Sequence, residues 1–586
     1  MQRTCAVGLF LTLSLAAASM FVPVRATVGT RSAQYAPGEV IVKLKDAAAP
    51  DSSSVNRDEQ LMRAARSLSP REGIVRTVEP LLRAPGGRGA QIAAARGLDR
   101  IFLLKFDPSA DVGSLVAELL SDPAVEYAEP NILIEPAALV PNDPDFYEQW
   151  ALRNQGVGVI GYPSSLDADI KATQAWDITT GSPNVLIALT DTGADITHPD
   201  LAPNIYTNPG EIPNNGIDDD NNGYTDDVNG VGIPEQNGDA GDVTGHGTEM
   251  AGIIAARLNN AVGISGVSQS KILPVRFFKQ TGPEPYEFEA TAIDAARALI
   301  YSISAGASII NASWSARLQA DIVPPEWAQA LKDAVTATYD AGVLLVCVAG
   351  NEGYNLDYSR IYPASYQLPN QIVVAVSDFN DEIFHSYYDQ SVKTGFGPST
   401  VHLAAPGVAV FTIRARGNCI DCTASPDPAD WYTREFRVDG TSASAAFVSG
   451  VAALVKSAYP EANFIVMRRR ILEGVDVIPA LKPYVVTSGR LSALGALNVR
   501  LQLSQPIVTR IKVKGGGKKV FVYGSGIHKD ARVFVGRISY PIKPKAEDLS
   551  AVLVKVPAGT FPPGTPVEVT LINPDGGSSE PRTIVR

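Results

Sequence analysis

Gly440-Thr441-Ser442-Ala443-Ser444-Ala445-Ala446-Phe447-Val448-Ser449-Gly450 runs directly into Val451-Ala452-Ala453-Leu454-Val455. A run of small and apolar residues of this length reads as a buried helix. Ser442 stands at its start, where unpaired N–H groups and the positive end of the helix dipole favour developing negative charge. A serine there is also an ordinary N-cap. Two other stretches give it a chemical reading. Thr190-Asp191-Thr192-Gly193 ends the apolar run Val185-Leu186-Ile187-Ala188-Leu189, and Gly245-His246-Gly247-Thr248 opens the helical pattern of residues 251–256. An aspartate after a buried strand can be a plain turn residue. His246, one of five histidines in the chain, is flanked by glycines that let another backbone come close. Acyl transfer by serine needs a nucleophile, a base for its proton and a carboxylate to orient the base. The three stretches supply one of each.

In the order Asp191, His246, Ser442 the chain resembles the subtilisin-like serine proteases. The resemblance implies peptide-bond hydrolysis through a triad of these residues and an acyl-enzyme. Val343-Leu344-Leu345-Val346-Cys347-Val348-Ala349 reads as a buried strand followed by Gly350-Asn351-Glu352-Gly353. In the family the matching Asn donates its amide to the oxyanion, a role implied here for Asn351 together with the Ser442 backbone N–H. Ile310-Asn311-Ala312-Ser313-Trp314-Ser315 matches the strand along one wall of the primary specificity pocket, with Ala349-Gly350 on the other. Ser313, Trp314, Ser315, Ala349 and Gly350 are therefore expected to bind substrate. Ser315 stands where the family usually has Gly, which would narrow the pocket mouth.

After Ser442 the family pattern is broken: Ala443 replaces Met, Ala446 replaces Pro and Phe447 replaces His. The lost Pro can change the bend of the helix. The lost Met removes an oxidisable sulfur beside the serine, which predicts slow inactivation by peroxide. These departures keep a second reading open: a catalytically impaired pseudoprotease that acts as a secreted binding protein. Asp-Thr-Gly is also the aspartic-protease signature, but that chemistry needs two such carboxylates. The sequence has no second Asp-Thr-Gly or Asp-Ser-Gly.

The chain has 586 residues, 45% of them hydrophobic, with a net charge of −12. That length suits about three or four domains. The acidic balance argues against nucleic acid or an anionic membrane as the main partner. Arg3, an apolar run over about 6–22 and Val24-Arg25-Ala26 read as a signal peptide over 1–26, with a membrane anchor as the alternative. The protein is expected to be secreted, with no membrane span after signal removal. Cys419 and Cys422 are close enough to bridge in an oxidising compartment. Cys347, inside an apolar strand, is expected to be a free buried thiol.

Residues 27–140 sketch a β-α-β-α-β unit. It resembles the subtilase propeptide, which implies an intramolecular inhibitor removed by the enzyme itself near 134–142; a small adhesive module is the alternative. The catalytic resemblance covers 141–503. Strands over 185–190, 271–277, 307–312, 343–349 and 372–377 alternate with helices over 246–257, 289–304, 325–340 and 441–457. This alternation predicts an α/β fold, a mostly parallel, doubly wound sheet. Residues 504–586 turn to short strands at regular spacing with Gly/Pro turns, which predicts a β-sandwich. The run Thr570–Gly577 resembles IPT/TIG immunoglobulin-like domains.

Asp218-Asp219-Asp220-Asn221-Asn222-Gly223-Tyr224-Thr225-Asp226-Asp227 offers oxygen ligands at alternate positions and a Gly for a sharp turn. This suits calcium, which takes six to eight oxygens. Asp218, Asp220, Asn222, Asp226 and Asp227 are the candidate ligands; a solvated acidic loop is the alternative. Resemblance to thermitase-like enzymes implies a second calcium site from Asp143, Asp200 and Asn260. The expected partners are protein or peptide substrates, with the enzyme a monomer.

Overall fold

The computed structural model describes residues 35–46, 57–68, 75–81, 95–132, 139–282, 288–316, 329–386, 391–416 and 437–586. The leader, Cys419, Cys422, and residues 134–138 of the expected cleavage window lie outside the described residues. The chain divides into two compact units, 1–137 and 138–586.

In the first unit, β1 (Tyr35–Leu44), β2 (Thr77–Pro80), β3 (Ile101–Lys105) and β4 (Val125–Ile132) form an antiparallel sheet in the order β2-β3-β1-β4. Val40, Val42 and Leu44 alternate into the interior, as the two-residue strand period requires. With Phe102, Leu104, Leu115 and Leu119 they form a core belonging to this unit alone. Two helices, Arg57–Ser67 and Val112–Leu120, complete it. The β-α-β-α-β pattern is present with one strand more. β2 has four residues and ends in Pro80, too short to show a period and confined by its proline to a sheet edge.

The second unit is built on nine strands: β5 (Leu186–Asp191), β6 (Val231–Gly232), β7 (Lys271–Arg276), β10 (Ile309–Ala312), β11 (Leu344–Val348), β12 (Gln371–Ser377), β13 (Leu403–Pro406), β16 (Asp476–Val477) and β17 (Gly489–Arg490). Two short antiparallel pairs stand apart from these: β8 (Lys279–Gln280) with β9 (Phe288–Glu289), a hairpin, and β14 (Val410–Phe411) with β15 (Arg437–Val438). The sheet order is β16-β17-β13-β12-β11-β10-β5-β7-β6, parallel except for the β16–β17 pair. β5, β10, β11 and β12 are buried along their whole length, which is why they read as continuous apolar runs rather than alternating ones. One core cluster packs against each face.

The chain leaves β5 toward β7 on one side, then returns through β10 and β11 on the other. The reversal leaves a crevice at the carboxyl ends of β5 and β10, where ligands bind in open α/β sheets. Helix Thr441–Ala458 is long and apolar enough to cross a bilayer, contrary to the expectation that nothing after the leader is; 78% of it is buried, so it serves as the core helix. The Tyr362–Pro363 peptide is cis.

Strands β18 (Ile507–Lys514), β19 (Lys519–Ser525), β20 (Arg532–Val535), β21 (Ile538–Pro541), β22 (Lys543–Pro544), β23 (Ala551–Lys555), β24 (Pro566–Ile572) and β25 (Arg582–Val585) form two four-stranded sheets, β18-β19-β23-β22 and β21-β20-β24-β25. Val520, Val522, Val533, Val552, Val554 and Leu571 lie in the core they share. The β20 sheet meets the α/β part: Phe534 packs on its core, and Arg532 pairs with Asp340 and covers the Tyr339 ring.

Candidate active site

Asp191 is the last residue of β5 and is 2% exposed. Its Oδ1 accepts from His246 Nδ1 at 2.7 Å and from the Thr192 N–H at 2.8 Å. Its Oδ2 is buried without a hydrogen-bond partner among the described residues. The contact exists because two loops interlock. Gly193 has φ +111°, and a Cβ on Gly247 would lie 1.9 Å from the Gly193 carbonyl oxygen. Both motifs therefore need their glycines to bring Asp191 and His246 together.

His246 is the first residue of the helix His246–Ala255. Asp242, which was not singled out in the sequence, organises that start. It accepts from the Gly245 and Thr248 backbone N–H groups at 2.9 and 2.8 Å and from the Thr192 hydroxyl at 2.8 Å. It thus satisfies helix-end donors and ties them to the Asp191 loop. An acidic residue shortly before a helix start is the signal that could have found it. Burial works against charge on His246, but the Asp191 carboxylate, with Glu249 and Asp242, outweighs it and pushes the imidazole up to about 9.

Ser442 is the second residue of the helix Thr441–Ala458, preceded by Gly440 at φ +135°. Its hydroxyl donates to the Ser313 carbonyl at 3.2 Å, and the Ser313 hydroxyl donates to the Ser442 carbonyl at 3.0 Å. Ser313 in turn accepts from Asn311 on β10, whose side chain accepts from Ser449 of the same helix. The Asn351 Oδ1 accepts from both the Thr441 N–H and hydroxyl at 2.9 Å, which fixes the amide and turns Nδ2 to the other side. A Cβ on Gly440 would stand 3.0 Å from that Nδ2. Ser442, His246 and Asn351 line one cavity of about 260 Å³, together with Ala443 and Met250. Met250 is 1% exposed, so a thioether does border the site despite the Ala at 443.

Ser313, Trp314 and Ser315 line a second cavity of about 340 Å³ with Asp191, Thr192, Thr244 and His246. Its remaining walls are Phe278 and Phe288, neither anticipated from the sequence; their rings meet edge-on at 5.9 Å across the β8–β9 hairpin. Ala349 and Gly350 are buried and are not among the residues lining either cavity.

In the acidic loop, Asp218 and Asp220 come together with Glu211, all three offering an oxygen within 4.8 Å of the others. Glu211 lies upstream of the acidic run, and its Oε2 is buried without a partner among the described residues. Asn222 sits beside them, its amide donating to Asp220 and Asp227. Asp226 and Asp227 are engaged elsewhere than in this trio. Asp226 accepts from the Asn215 and Gly216 N–H groups, and buried Asp227 accepts from Asn208, Asn222 and the Tyr301 hydroxyl.

The remote residues Asp143, Asp200 and Asn260 do meet. Asp143 accepts from the Asn260 N–H at 2.8 Å, and Asp200 from the Asn260 side-chain amide at 2.8 Å. Burial first, and the Asp143 charge as well, push Asp200 up to about 7 against the bonds from Ile264 and Asn260. Cys347 is free and fully buried, with Gln371 as its neighbour, and burial pushes its thiol up to about 12.

Residues 182–485 match the sequence profile of the subtilase family, Peptidase S8. The chain is 30% identical over 388 residues to a thermophilic serine proteinase of Bacillus sp. strain AK1, across 66% of this chain and 76% of that protein. It is 32% identical over 329 residues to thermitase of Thermoactinomyces vulgaris, across 56% of this chain and 93% of that one. It is 28% identical over 386 residues to an extracellular protease of Xanthomonas campestris pv. campestris, of which it spans 57%. With this match over more than half its length, the chain belongs to the subtilase family of serine proteases.

Proposed function

We propose that this subtilisin-like serine endopeptidase works through Asp191, His246 and Ser442, and that it is a secreted, calcium-stabilised enzyme made as a self-processing proenzyme. The observation that carries the triad is the 2.7 Å His246–Asp191 bond beside a cavity shared by His246, Ser442 and Asn351. Ser442 Oγ turns from the Ser313 carbonyl to His246 Nε2, which takes its proton as Oγ attacks the peptide carbonyl. Asp191 holds the Nδ1–H tautomer and stabilises the imidazolium. The Asn351 amide and the Ser442 N–H donate to the oxyanion. His246 returns the proton to the leaving amine, and water then repeats the cycle on the acyl-enzyme.

Specificity would rest on Ser313, Trp314 and Ser315 with Ala349 and Gly350 behind them, and Phe278 and Phe288 add an aromatic wall. Calcium fits two places. At the acidic loop Glu211 brings a carboxylate oxygen within 4.8 Å of Asp218 and Asp220, and its Oε2 is buried without a hydrogen-bond partner among the described residues; Glu211, Asp218, Asp220 and the Asn222 oxygen would hold the ion. At the other, Asp143 and Asp200 are buried together, and no Lys or Arg pairs with either among the described residues. Asn260 would complete that site. A bound ion would neutralise these carboxylates and fix their loops. Relatives named extracellular protease and thermitase support export, and the self-contained core of the first unit suits a detachable inhibitor domain over 27–140.

The Ser442 bond to the Ser313 carbonyl favours one rival, an impaired pseudoprotease. Mass spectrometry of the protein and its Ser442→Ala variant, with calcium present, decides between them. Loss of a fragment ending near 134–142 from the parent alone is expected. If both chains stay whole, self-processing by Ser442 is wrong.

A further inference from the structure

We infer that the outer face of the sheet β18-β19-β23-β22 is a binding site for a linear acidic polysaccharide. The net charge of −12 conceals a division. Residues 504–586 carry thirteen Lys and Arg against six Asp and Glu. The four strands of this sheet contain no acidic residue at all.

The pairing register shows where the cations go. Val520, Val522, Val552 and Val554 point into the core. The alternate positions therefore face outward, and Lys514, Lys519 and Lys555 stand directly opposite one another across three strands. The adjoining row is Lys512, Phe521, Leu553 and Lys543, and the next is Arg510, Tyr523 and Ala551. All six cations are exposed. The ion pairs of the sandwich use His528, Lys529 and Arg532 instead. Like charges directly opposite on a sheet destabilise it. Three aligned lysines about 4.8 Å apart, with no ion-pair partner among the described residues, are arranged for an anion outside the fold. The other sheet docks on the α/β part through Arg532 and Phe534, which leaves this face turned outward.

The aromatic residues narrow the class of ligand. Arg510 covers the Tyr523 ring at 4.2 Å and Lys514 lies over Phe521 at 5.6 Å. Neither ring is presented bare for stacking a base, which single-stranded nucleic acid binding uses. Both rings are half-buried and Leu553 is buried; Ile507 at the start of β18 is 60% exposed, a single apolar side chain rather than the hydrophobic face that insertion into a bilayer needs. What remains is a flat, regularly spaced array of cations, complementary to a chain with regularly spaced carboxylate or sulfate groups. Such a face would hold the protease on an anionic matrix independently of its catalysis.

The test uses the full-length Ser442→Ala protein, which cannot digest itself, with polygalacturonate and heparin as probes and neutral dextran as control. Binding to one or both acidic chains is expected, with log affinity falling linearly against log salt between about 50 and 200 mM. Binding to polygalacturonate shows that carboxylates suffice, and binding to heparin alone shows that sulfate is needed. The variant Lys512→Gln/Lys514→Gln/Lys519→Gln/Lys555→Gln should keep its melting temperature, lose at least tenfold in affinity and show a shallower salt slope, by roughly one per lysine. Lys529→Gln/Arg582→Gln, off this face, should bind like the parent. Absence of binding, or a quadruple variant that binds unchanged, overturns the proposal. So does tighter binding to single-stranded DNA or to phosphatidylglycerol vesicles than to either polysaccharide.

Discussion

His246 lies between opposing effects. Burial disfavours its charge, while Asp191 at 2.7 Å, Glu249 and Asp242 favour it strongly enough to reach about 9. The base must be neutral to take the Ser442 proton, so kcat/KM should rise with pH through the imidazole pKa and level off above it. The sequence alone suggests a rise over about pH 6–8; the carboxylates around the ring move the expected limb toward pH 9. Glu249→Gln should shift that limb to lower pH without abolishing activity, read from pH–rate profiles of both proteins. A flat profile from pH 6 to 10 would remove His246 as the base. Asn351 makes a separate prediction. Thr441 pins its Oδ1, so Nδ2 is the donor left for an oxyanion. Asn351→Leu should lower kcat by about 10²–10³ with KM little changed, the scale the subtilisin example sets.

The elements matter here chiefly by how closely they approach. The His246 helix starts against the loop after β5, with Gly247 in contact with the Gly193 carbonyl. Gly247→Ala needs space that the backbone does not have, so the helix start must retreat and the Asp191–His246 bond must lengthen. We expect at least a hundredfold loss of kcat, since misplacement by about 1 Å costs that much, with calcium-dependent stability retained. Normal activity in the alanine variant would show that the two loops are not locked. The same scale explains the missed aromatic wall. β8 and β9 have two residues each, too few to show a period, yet their pairing carries Phe288 onto the cavity.

At the scale of the molecule, the clustered carboxylates and the docked sandwich both bear on stability. Glu211, Asp218 and Asp220 crowd within 4.8 Å, and Asp143 and Asp200 are buried together. Removing calcium should therefore lower the melting temperature and speed autolysis, and restoring calcium but not magnesium should reverse both; calcium needs the larger, more flexible oxygen shell. Indifference to a chelator would exclude both sites. Phe534 belongs to the sandwich but packs on the α/β core, against Gly342. Phe534→Ala should cost about 1–3 kcal/mol and lower the melting temperature of the α/β part itself. If it leaves that transition unmoved, the sandwich is a passenger rather than a support.

Residue order is enough to read the continuous apolar strands, the helices that alternate with them, and the residues at their ends. Asp191, His246, Asn351 and Ser442 were legible because each follows a strand or opens a helix, where local pattern and chemistry coincide. Contacts between distant segments arise only in the folded chain. Glu211 joins the acidic loop only because its chain folds back over it, and Asp242 is tied to Thr192 across fifty residues. Phe278 and Phe288 became a wall through pairing, and six cations of a protein with net negative charge converged on one face through strand register. Such meetings depend on which strands pair and in what register, and a linear pattern of residues does not encode the partner on the other strand.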